Sequence, residues 1–265
     1  MPSTIFETMT IDEVIANCLR DKFQNYHPES SNMPFHFRLL GKDRMALYSF
    51  IHSLNTSFGT SIFEPAAVAL ASMNYERAEK QYVAGKRISD GAHTVIQEII
   101  DNLTTGQSLP DKIQEIKKIR KVCQKGKMNQ VKLALVDVFV KHSNGEMMLF
   151  DIKTAKPNIG NFKEFKRTLL EWVAAALADN PEAKIRTAIA IPYNPYEPKP
   201  YERWTPQGML DLKEELFVAE EFWNLLGGKN AYEELLSCFE RVGIALRPEI
   251  DGYFARFKTN SRKNS

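Results

Sequence analysis

Two apolar segments joined by an Asn-Gly pair constrain the fold of this chain more than any other feature. Val131 to Lys141 (VKLALVDVFVK) is rich in β-branched and aromatic residues and is apolar on both faces, which is typical of a strand covered on both sides. Asn144-Gly145 supplies the two positive-φ residues of a tight turn, and Glu146 to Thr154 (EMMLFDIKT) forms the returning strand. The sequence therefore predicts a hairpin in the middle of a sheet.

The segments that follow the hairpin extend this sheet. Apolar residues recur at helical spacing from Phe162 to Leu177, and Thr187 to Tyr193 (TAIAIPY) has the composition of a buried strand. A strand, a helix and another strand in this order indicate a crossover connection. We expect an α/β fold with a mixed central β-sheet flanked by helices.

The rest of the chain is predicted to be helical. Thr10 is a helix cap before an apolar stripe, and the segment His93 to Leu103 is a helix that ends before Gly106. We find no repeat or linker and predict one domain. Its parts are a mainly helical region, a catalytic sheet core, a C-terminal helical region and a flexible tail, at 1–110, 131–193, 205–258 and 259–265.

Composition excludes several classes of protein. The charged residues near the start leave no signal core, and no apolar run is long enough to cross a bilayer. The three cysteines, Cys18, Cys123 and Cys238, are far apart and odd in number, which fits reduced thiols better than disulfides or a zinc site. We expect a cytoplasmic, prokaryotic protein without a membrane partner.

Three charged residues interrupt the two predicted hairpin strands. Asp137 lies between valines, and Asp151 and Lys153 follow Phe150. A carboxylate in an apolar strand is costly unless a cation compensates it. Side chains alternate along a strand, so Asp151 and Lys153 share one face, and the hairpin brings Asp137 beside them.

This arrangement suits phosphodiester chemistry. Two carboxylates are hard oxygen ligands that suit Mg²⁺, while an ammonium offsets charge in the transition state. The alternative is a structural role, in which the three groups lie near strand ends and are solvated or paired with one another.

Asp137 followed by Asp151-Ile152-Lys153 resembles the PD-(D/E)-x-K nuclease motif, with Val136 in place of the proline. The resemblance implies a restriction-endonuclease-like core in which an upstream helix contributes a further catalytic acid. Phe58-Gly59 to Phe63-Glu64 resembles the glycine-to-glutamate stretch of many restriction enzymes, so Glu64 is the candidate. Glu79 and Glu98 are alternatives, and Pro65 also makes Glu64 a plausible helix-start acid that satisfies the helix dipole.

The C-terminal half resembles the TdeIII/MjaII group of type II restriction endonucleases. The resemblance is carried by DIKTAKPN, PYNPYEPKPYERW, EEFWNLLGG and YEELL, which begin at Asp151, Pro192, Glu220 and Tyr232. It implies double-strand cleavage within a short palindrome, GGNCC, by a homodimer whose two-fold axis matches that of the site. The helix with Phe222-Trp223 is one candidate for the dimer surface.

Two segments are candidates for contact with DNA. Residues 117–132 carry seven basic residues and no acid, as expected for a surface that faces phosphates, although a solvated basic turn has the same composition. The Pro-rich loop after the last predicted strand offers amide and basic donors, but it also suits an ordered surface loop or a dimer contact. The candidate residues are Lys117, Lys118, Arg120, Lys121, Lys125, Lys127, Asn194, Lys199 and Arg203.

We therefore expect a Mg²⁺-dependent type II endonuclease that cuts double-stranded DNA. Two other functions remain compatible with the sequence. One is a structure-specific repair or recombination nuclease of the same fold, and the other is a non-catalytic DNA-binding protein.

Overall fold

The computed structural model describes residues 10–26, 33–153, 157, 159–203 and 206–259. Two compact units are present. The described residues within 1–69 and 233–265 form the helical unit, and those within 70–232 form the sheet unit. The single-domain organisation stays a prediction. Residues 260–265 of the predicted flexible tail lie outside the described residues.

Helices and strands are interspersed along the chain. The helices are α1 (Ile11–Asn25), α2 (Pro34–Leu40), α3 (Lys42–Phe58), α4 (Glu64–Ala71), α5 (Asp90–Thr104), α6 (Lys112–Arg120), α7 (Phe162–Asp179), α8 (Glu220–Gly227), α9 (Ala231–Ala245) and α10 (Arg247–Thr259). The strands are β1 (Arg77–Tyr82), β2 (Arg87–Ser89), β3 (Met128–Gln130), β4 (Val136–Lys141), β5 (Met147–Ile152), β6 (Ile185–Ile191) and β7 (Leu216–Val218).

The helical unit packs around aromatic side chains. Thr10 caps α1 as predicted, in a capping box with Glu13. The ring of Phe23 lies 5.4 Å from that of Phe50 and 4.7 Å from that of Tyr253, measured between ring centroids. Large aromatic side chains bury much apolar surface each, so this cluster is the core that joins α1, α3 and α10.

The sheet unit contains a mixed five-stranded sheet of order β1-β4-β5-β6-β7. Strands β1, β4 and β5 pair antiparallel, whereas β5, β6 and β7 pair parallel. Helix α7 is the crossover between β5 and β6, as predicted. The α/β class with a mixed sheet flanked by helices is therefore confirmed, and β2 and β3 form a separate two-stranded sheet.

The predicted hairpin is present, but its turn differs from the prediction. The Gly145 N–H donates to the His142 carbonyl, and the His142 N–H donates to the Glu146 carbonyl, which closes a three-residue loop. Gly145 has φ of +84°, whereas Asn144 is not in the positive-φ region. Instead, the Asn144 side chain accepts a hydrogen bond from the Glu146 N–H. Three-residue hairpins use one left-handed residue, so a single glycine suffices.

Both faces of the sheet are covered. Thr187 on β6 donates to the Leu169 carbonyl of α7, which places α7 on that face. On the opposite face, the Phe150 ring lies 5.3 Å from that of Phe222 on α8. Phe222 and Trp223 are 0% and 1% exposed, so these two side chains pack into the core, and a dimer surface on their helix stays a prediction.

Four strands were not predicted from the sequence. Strand β1 lies inside the predicted helical region and reads RAEKQY, which lacks apolar alternation, and β2 and β3 have three residues each. Strand β7, also of three residues, lies in the C-terminal region that was predicted to be helical. No helix in the described part of the chain is long and apolar enough to cross a membrane.

Candidate active site

The two aspartates of the predicted motif lie opposite each other at one end of the hairpin. Val138 on β4 pairs with Phe150 on β5. Continuing this antiparallel register by one residue places Asp137 opposite Asp151, with both side chains on the α7 face. Asp137 Oδ2 accepts a hydrogen bond of 2.7 Å from the Ile152 N–H. This bond fixes one carboxylate against the neighbouring strand.

Lys153 completes the group at the end of β5. Its backbone N–H donates to the Ala190 carbonyl of β6 at 2.9 Å, which holds this residue to the sheet. Its Nζ lies 2.5 Å from Asp151 Oδ1, and the side chains of Lys153 and Asp151 are 27% and 10% exposed. The ion pair therefore reaches solvent on one side, mainly through the lysine.

An aromatic ring also contacts this lysine. Lys153 Nζ lies 4.8 Å from the ring centroid of Phe165, in the first turn of α7. Phe165 in turn meets the buried Phe162 edge-on, with centroids 5.7 Å apart and the ring planes at 88°. A cation within about 6 Å of a ring face is attracted by the ring quadrupole. Phe165 was not singled out from the sequence.

The donor set at this site fits a hard divalent cation. Mg²⁺ is commonly held by one or two carboxylates, with waters and substrate phosphate oxygens as its other ligands. Asp137 and Asp151 supply two carboxylates on one face. Among the residues that the structure describes, no group of three or more His, Cys, Asp or Glu side chains is placed to hold a metal ion. Asp137 and Asp151 therefore match an open site, in which waters and substrate oxygens supply the remaining metal ligands.

Glu64, the candidate upstream acid, lies in the helical unit. It is 2% exposed and follows the π-helical turn Gly59–Phe63. The Glu64 N–H donates to the Gly59 carbonyl, so α3, this turn and α4 form one continuous helix. The dipole explanation is therefore wrong, because Glu64 is not at a free helix start. Single π-helical turns inside α-helices are frequently found at functional sites.

The two alternative acids have local surroundings that differ from those of Glu64. Glu79 on β1 is half-buried and forms an ion pair with Arg77. Glu98 on α5 is exposed and lines a surface depression between α5 and α6. These contacts do not decide which of Glu64, Glu79 and Glu98 is the upstream acid.

The predicted basic segment divides into exposed residues and one internally bonded residue. Lys118, Lys121 and Lys125 line the depression between α5 and α6, which has a volume of about 320 Å³. Lys117 and Lys127 are exposed as well. Arg120 differs, because its guanidinium donates to the carbonyls of two residues, Pro181 and Ala183.

The Pro-rich loop after β6 is held largely by its own side chains. The Asn194 side chain accepts from the Tyr196 N–H and donates to the Lys199 carbonyl. Arg203 pairs with Glu221 at 2.5 Å and donates to two backbone carbonyls. The side chain of Lys199 is exposed. DNA contact by Asn194 and Arg203 stays a prediction, with a structural role now visible beside it.

A second cluster of charges in the sheet unit was also missed. We call Lys112, Glu115, Lys166 and Glu215 the buried quartet, because they are 3%, 5%, 0% and 0% exposed. Lys166 Nζ lies 2.5 Å from oxygens of both glutamates, and Lys112 Nζ lies 2.6 Å from Glu215 Oε1. The quartet joins α6 and α7 to the residue that precedes β7.

The quartet shifts the pKa of its members in different directions. Burial alone would raise the pKa of Glu215, but Lys112 and Lys166 outweigh it and hold that pKa below its usual value. Burial raises the pKa of Glu115, against the pull of Lys166. Burial also lowers the pKa of Lys112. Glu215 is the best-compensated carboxylate, because it contacts both ammonium groups.

The mixed sheet and its flanking helices are those of the restriction-endonuclease fold. A family model for type II restriction endonucleases of the HinfI kind matches residues 7–243. The chain therefore belongs to the HinfI family of type II restriction endonucleases, which act as site-specific deoxyribonucleases.

Curated relatives agree with this family. The chain is 26% identical to the type II restriction enzyme HgiCII of Herpetosiphon aurantiacus over 221 residues, covering 82% of this chain and 80% of the relative. It is 25% identical to HgiEI of the same organism over 221 residues, covering 82% and 79%. The type II restriction enzyme MjaII of Methanocaldococcus jannaschii is 26% identical over 274 aligned positions, covering 91% and 71%. The resemblance to restriction endonucleases is thus confirmed.

Proposed function

We propose that this enzyme hydrolyses phosphodiester bonds of double-stranded DNA in a Mg²⁺-dependent reaction at Asp137, Asp151 and Lys153. The observation that carries the proposal is the pairing of two carboxylates across β4 and β5, with an ammonium 2.5 Å from one of them and partly open to solvent. A surface of this kind admits both a cation and a phosphate.

Asp137 and Asp151 would hold the metal. Bound there, Mg²⁺ would supply Lewis-acid activation of the phosphate and of a water. The chain's own groups have separate tasks. The Ile152 N–H orients the Asp137 carboxylate, and the Lys153 ammonium orients the attacking water and offsets the charge that develops on the phosphate.

Glu64 is proposed as the upstream acid. Its support is its burial at 2% exposure directly after a π-helical turn, together with the glycine-to-glutamate resemblance. Replacing Glu64 by Gln keeps its size but removes its negative charge, and we expect cleavage to fall while folding is retained. Loss of cleavage in Glu79→Gln or Glu98→Gln instead would assign the role to one of them.

The phosphate-facing surface is proposed to include Lys117, Lys118, Lys121, Lys125 and Lys127. All five are exposed, and three of them line one depression between α5 and α6. Removal of a lysine that binds a phosphate should lower the slope of log affinity against log salt by about one. We expect this for Lys121→Ala and Lys125→Ala in binding titrations at several salt concentrations. A slope equal to that of the unchanged protein would remove the residue from this surface.

The palindrome GGNCC is proposed as the recognition site, from the resemblance to the TdeIII/MjaII group. A homodimer in the prokaryotic cytoplasm would match the two-fold symmetry of such a site. Exposed apolar side chains on α2, of which Phe35 and Leu39 are each 81% exposed, are a surface that a second copy would cover. Sedimentation of the protein with Leu39→Glu tests the dimer, since a charge on a buried interface should yield monomers.

One experiment tests the central proposal. A plasmid of known sequence is digested with Mg²⁺, and the ends of the products are sequenced. The unchanged enzyme should give discrete bands with ends inside GGNCC, whereas Asp137→Ala and Lys153→Ala should give none.

Lys141→Ala is the matched control, because Lys141 is also a lysine in an ion pair on this sheet, with Glu76 at 3.6 Å, at the end of β4 away from Asp137. Unaltered cutting by Asp137→Ala or Lys153→Ala would overturn the site. Nicking without sequence preference would favour the structure-specific nuclease.

A further inference from the structure

We propose that Phe165 is a positioning residue for the Lys153 ammonium in the cleavage reaction. The inference rests on the proposed function, because it gives Phe165 a role only if Lys153 acts on the phosphate. It is based on the distance of 4.8 Å between Lys153 Nζ and the centroid of the Phe165 ring.

Lys153 is held from two sides that differ in charge. Asp151 Oδ1, at 2.5 Å, attracts the ammonium as an anion, whereas the ring attracts it through its quadrupole without neutralising it. An incoming phosphate competes with the carboxylate for the same N–H donors. The ring does not compete in this way, so it keeps the ammonium in place while its N–H groups turn to a phosphate or water oxygen.

The ring is itself fixed from behind. Phe162, 5% exposed, packs edge-on against it. Lys166 is the next residue along α7 and is 0% exposed, with Nζ 2.5 Å from both Glu115 and Glu215. The first two turns of α7 are thus anchored in the interior, and a side chain on an anchored helix holds its position better than one on a loop.

Lysine needs such a guide more than most residues. Its ammonium lies at the end of a four-carbon chain with many rotamers, and small displacements of a catalytic group cost much of its effect. Orientation by the ring should therefore appear in the rate of the chemical step and not in the affinity for DNA.

The test compares Phe165→Leu with Phe165→Trp. Leucine keeps an apolar side chain but has no ring quadrupole, whereas tryptophan keeps a stronger one. Phe217→Leu is the matched control, because Phe217 is also half-buried beneath a cation, with Arg186 Cζ 5.8 Å from its centroid. Single-turnover cleavage with Mg²⁺ and metal-free DNA binding are measured for each.

We expect Phe165→Leu to lower the single-turnover rate about 2- to 30-fold with unchanged DNA affinity, as removal of a partly solvent-exposed cation–π interaction predicts. Phe165→Trp should retain the rate, and Phe217→Leu should match the unchanged enzyme. Full activity in Phe165→Leu, or an equal loss in Phe165→Trp, would overturn the inference.

A second readout needs neither metal nor DNA. In protein with ¹³C-labelled lysine, the ε-methylene protons of Lys153 should resonate upfield because of the ring, and Lys153→Arg identifies the signal by its disappearance. The signal should move to the position of a solvated lysine in Phe165→Leu and stay upfield in Phe165→Trp. An unshifted signal in the unchanged protein would overturn the contact itself.

The variants distinguish a failure of the proposed function from a failure of the role given to Phe165. If Lys153→Ala cuts DNA normally, the proposed function fails and Phe165 loses its role with it. If Lys153→Ala is inactive but Phe165→Leu is fully active, the inference alone is overturned.

Discussion

The proposed active-site group, Asp137, Asp151 and Lys153, and the buried quartet are built from the same chemical parts but differ in access to solvent. Both contain two carboxylates, and both have an ammonium 2.5 Å from a carboxylate oxygen. In the quartet every member is at most 5% exposed, whereas the Lys153 side chain in the proposed active-site group is 27% exposed. The quartet also has two ammonium groups for its two carboxylates, so its formal charges balance.

This difference separates structure from function. A closed set of charges must balance itself, because no water or ion compensates it. An open set meets solvent on one side, and that side gives room for a divalent cation and a phosphate. The same ion pair can therefore serve as an anchor or as a reactive group, depending on what surrounds it.

The largest effect is expected from Lys166→Met. It removes one ammonium from between Glu115 and Glu215 and leaves buried carboxylates partly uncompensated. Breaking a buried pair in this way costs about 3–5 kcal/mol. Urea denaturation should show this decrease in the free energy of unfolding. A decrease under about 1 kcal/mol would mean that the quartet is not closed to water.

Lys153→Met tests the other side of the comparison. We expect cleavage to fall about 10²- to 10³-fold, as when one group that stabilises transition-state charge is removed. The free energy of unfolding should change by less than about 1 kcal/mol, because the pair is partly exposed. Single-turnover assays and urea curves on the same sample measure both. A large decrease in stability would make Lys153 a structural lysine like Lys166.

A smaller effect is expected from pH acting on Glu215. Its pKa in the folded protein lies below the ordinary value of 4.5, so its ionised form adds stability that is fully present above pH 4.5. That contribution disappears as pH falls through the lowered pKa. The stability difference between the unchanged protein and Glu215→Gln should narrow below pH 4.5 in denaturation curves. A difference that stays constant from about pH 6 to about pH 3 would contradict the assignment.

The smallest effect concerns an ion pair with good geometry whose two side chains are 44% and 47% exposed. In the helical unit, Arg20 binds both carboxylate oxygens of Glu249, at 2.8 and 3.0 Å. Water and salt screen such a pair, so Glu249→Gln should leave the urea midpoint within the scatter of replicate curves. A clear shift would show that geometry, and not burial, decides the strength of these pairs.

The sequence predicted those contacts within the proposed active-site group that depend on local pattern. Alternation along β5 places Asp151 and Lys153 on one face, and the short hairpin brings Asp137 across from them. The crossover helix and β6 followed from their periodicity. The family resemblance supplied what pattern alone lacks, namely the class of reaction.

Non-local pairing explains what was missed in the fold. Strand β1 is polar along most of its length, and its order comes from pairing with β4, about 60 residues later in the chain. Strand β7 has three residues, too few to show a period. Such strands are defined by their partners and leave little signal of their own.

The sequence does contain a pattern that indicates part of the buried quartet. Lys112 and Glu115 occupy the same helical stripe as the buried Ile119, at spacings of three and four residues. Lys166 likewise falls on the buried stripe of α7 between Phe162 and Leu169. Charges at stripe positions are the pattern of buried ion pairs, but the matching glutamate at 215 is too distant in sequence to be paired with them by inspection.

The three-residue loop between β4 and β5 also bears on the order of folding. Hairpins of this size close in about 1–10 μs, before strands distant in sequence find one another. We therefore expect Asp137 and Asp151 to meet early, while α7 and β6 are still undocked. Their mutual repulsion would then be relieved by Lys153, only two residues from Asp151 along the chain, so the residue proposed for catalysis also eases assembly of its own site.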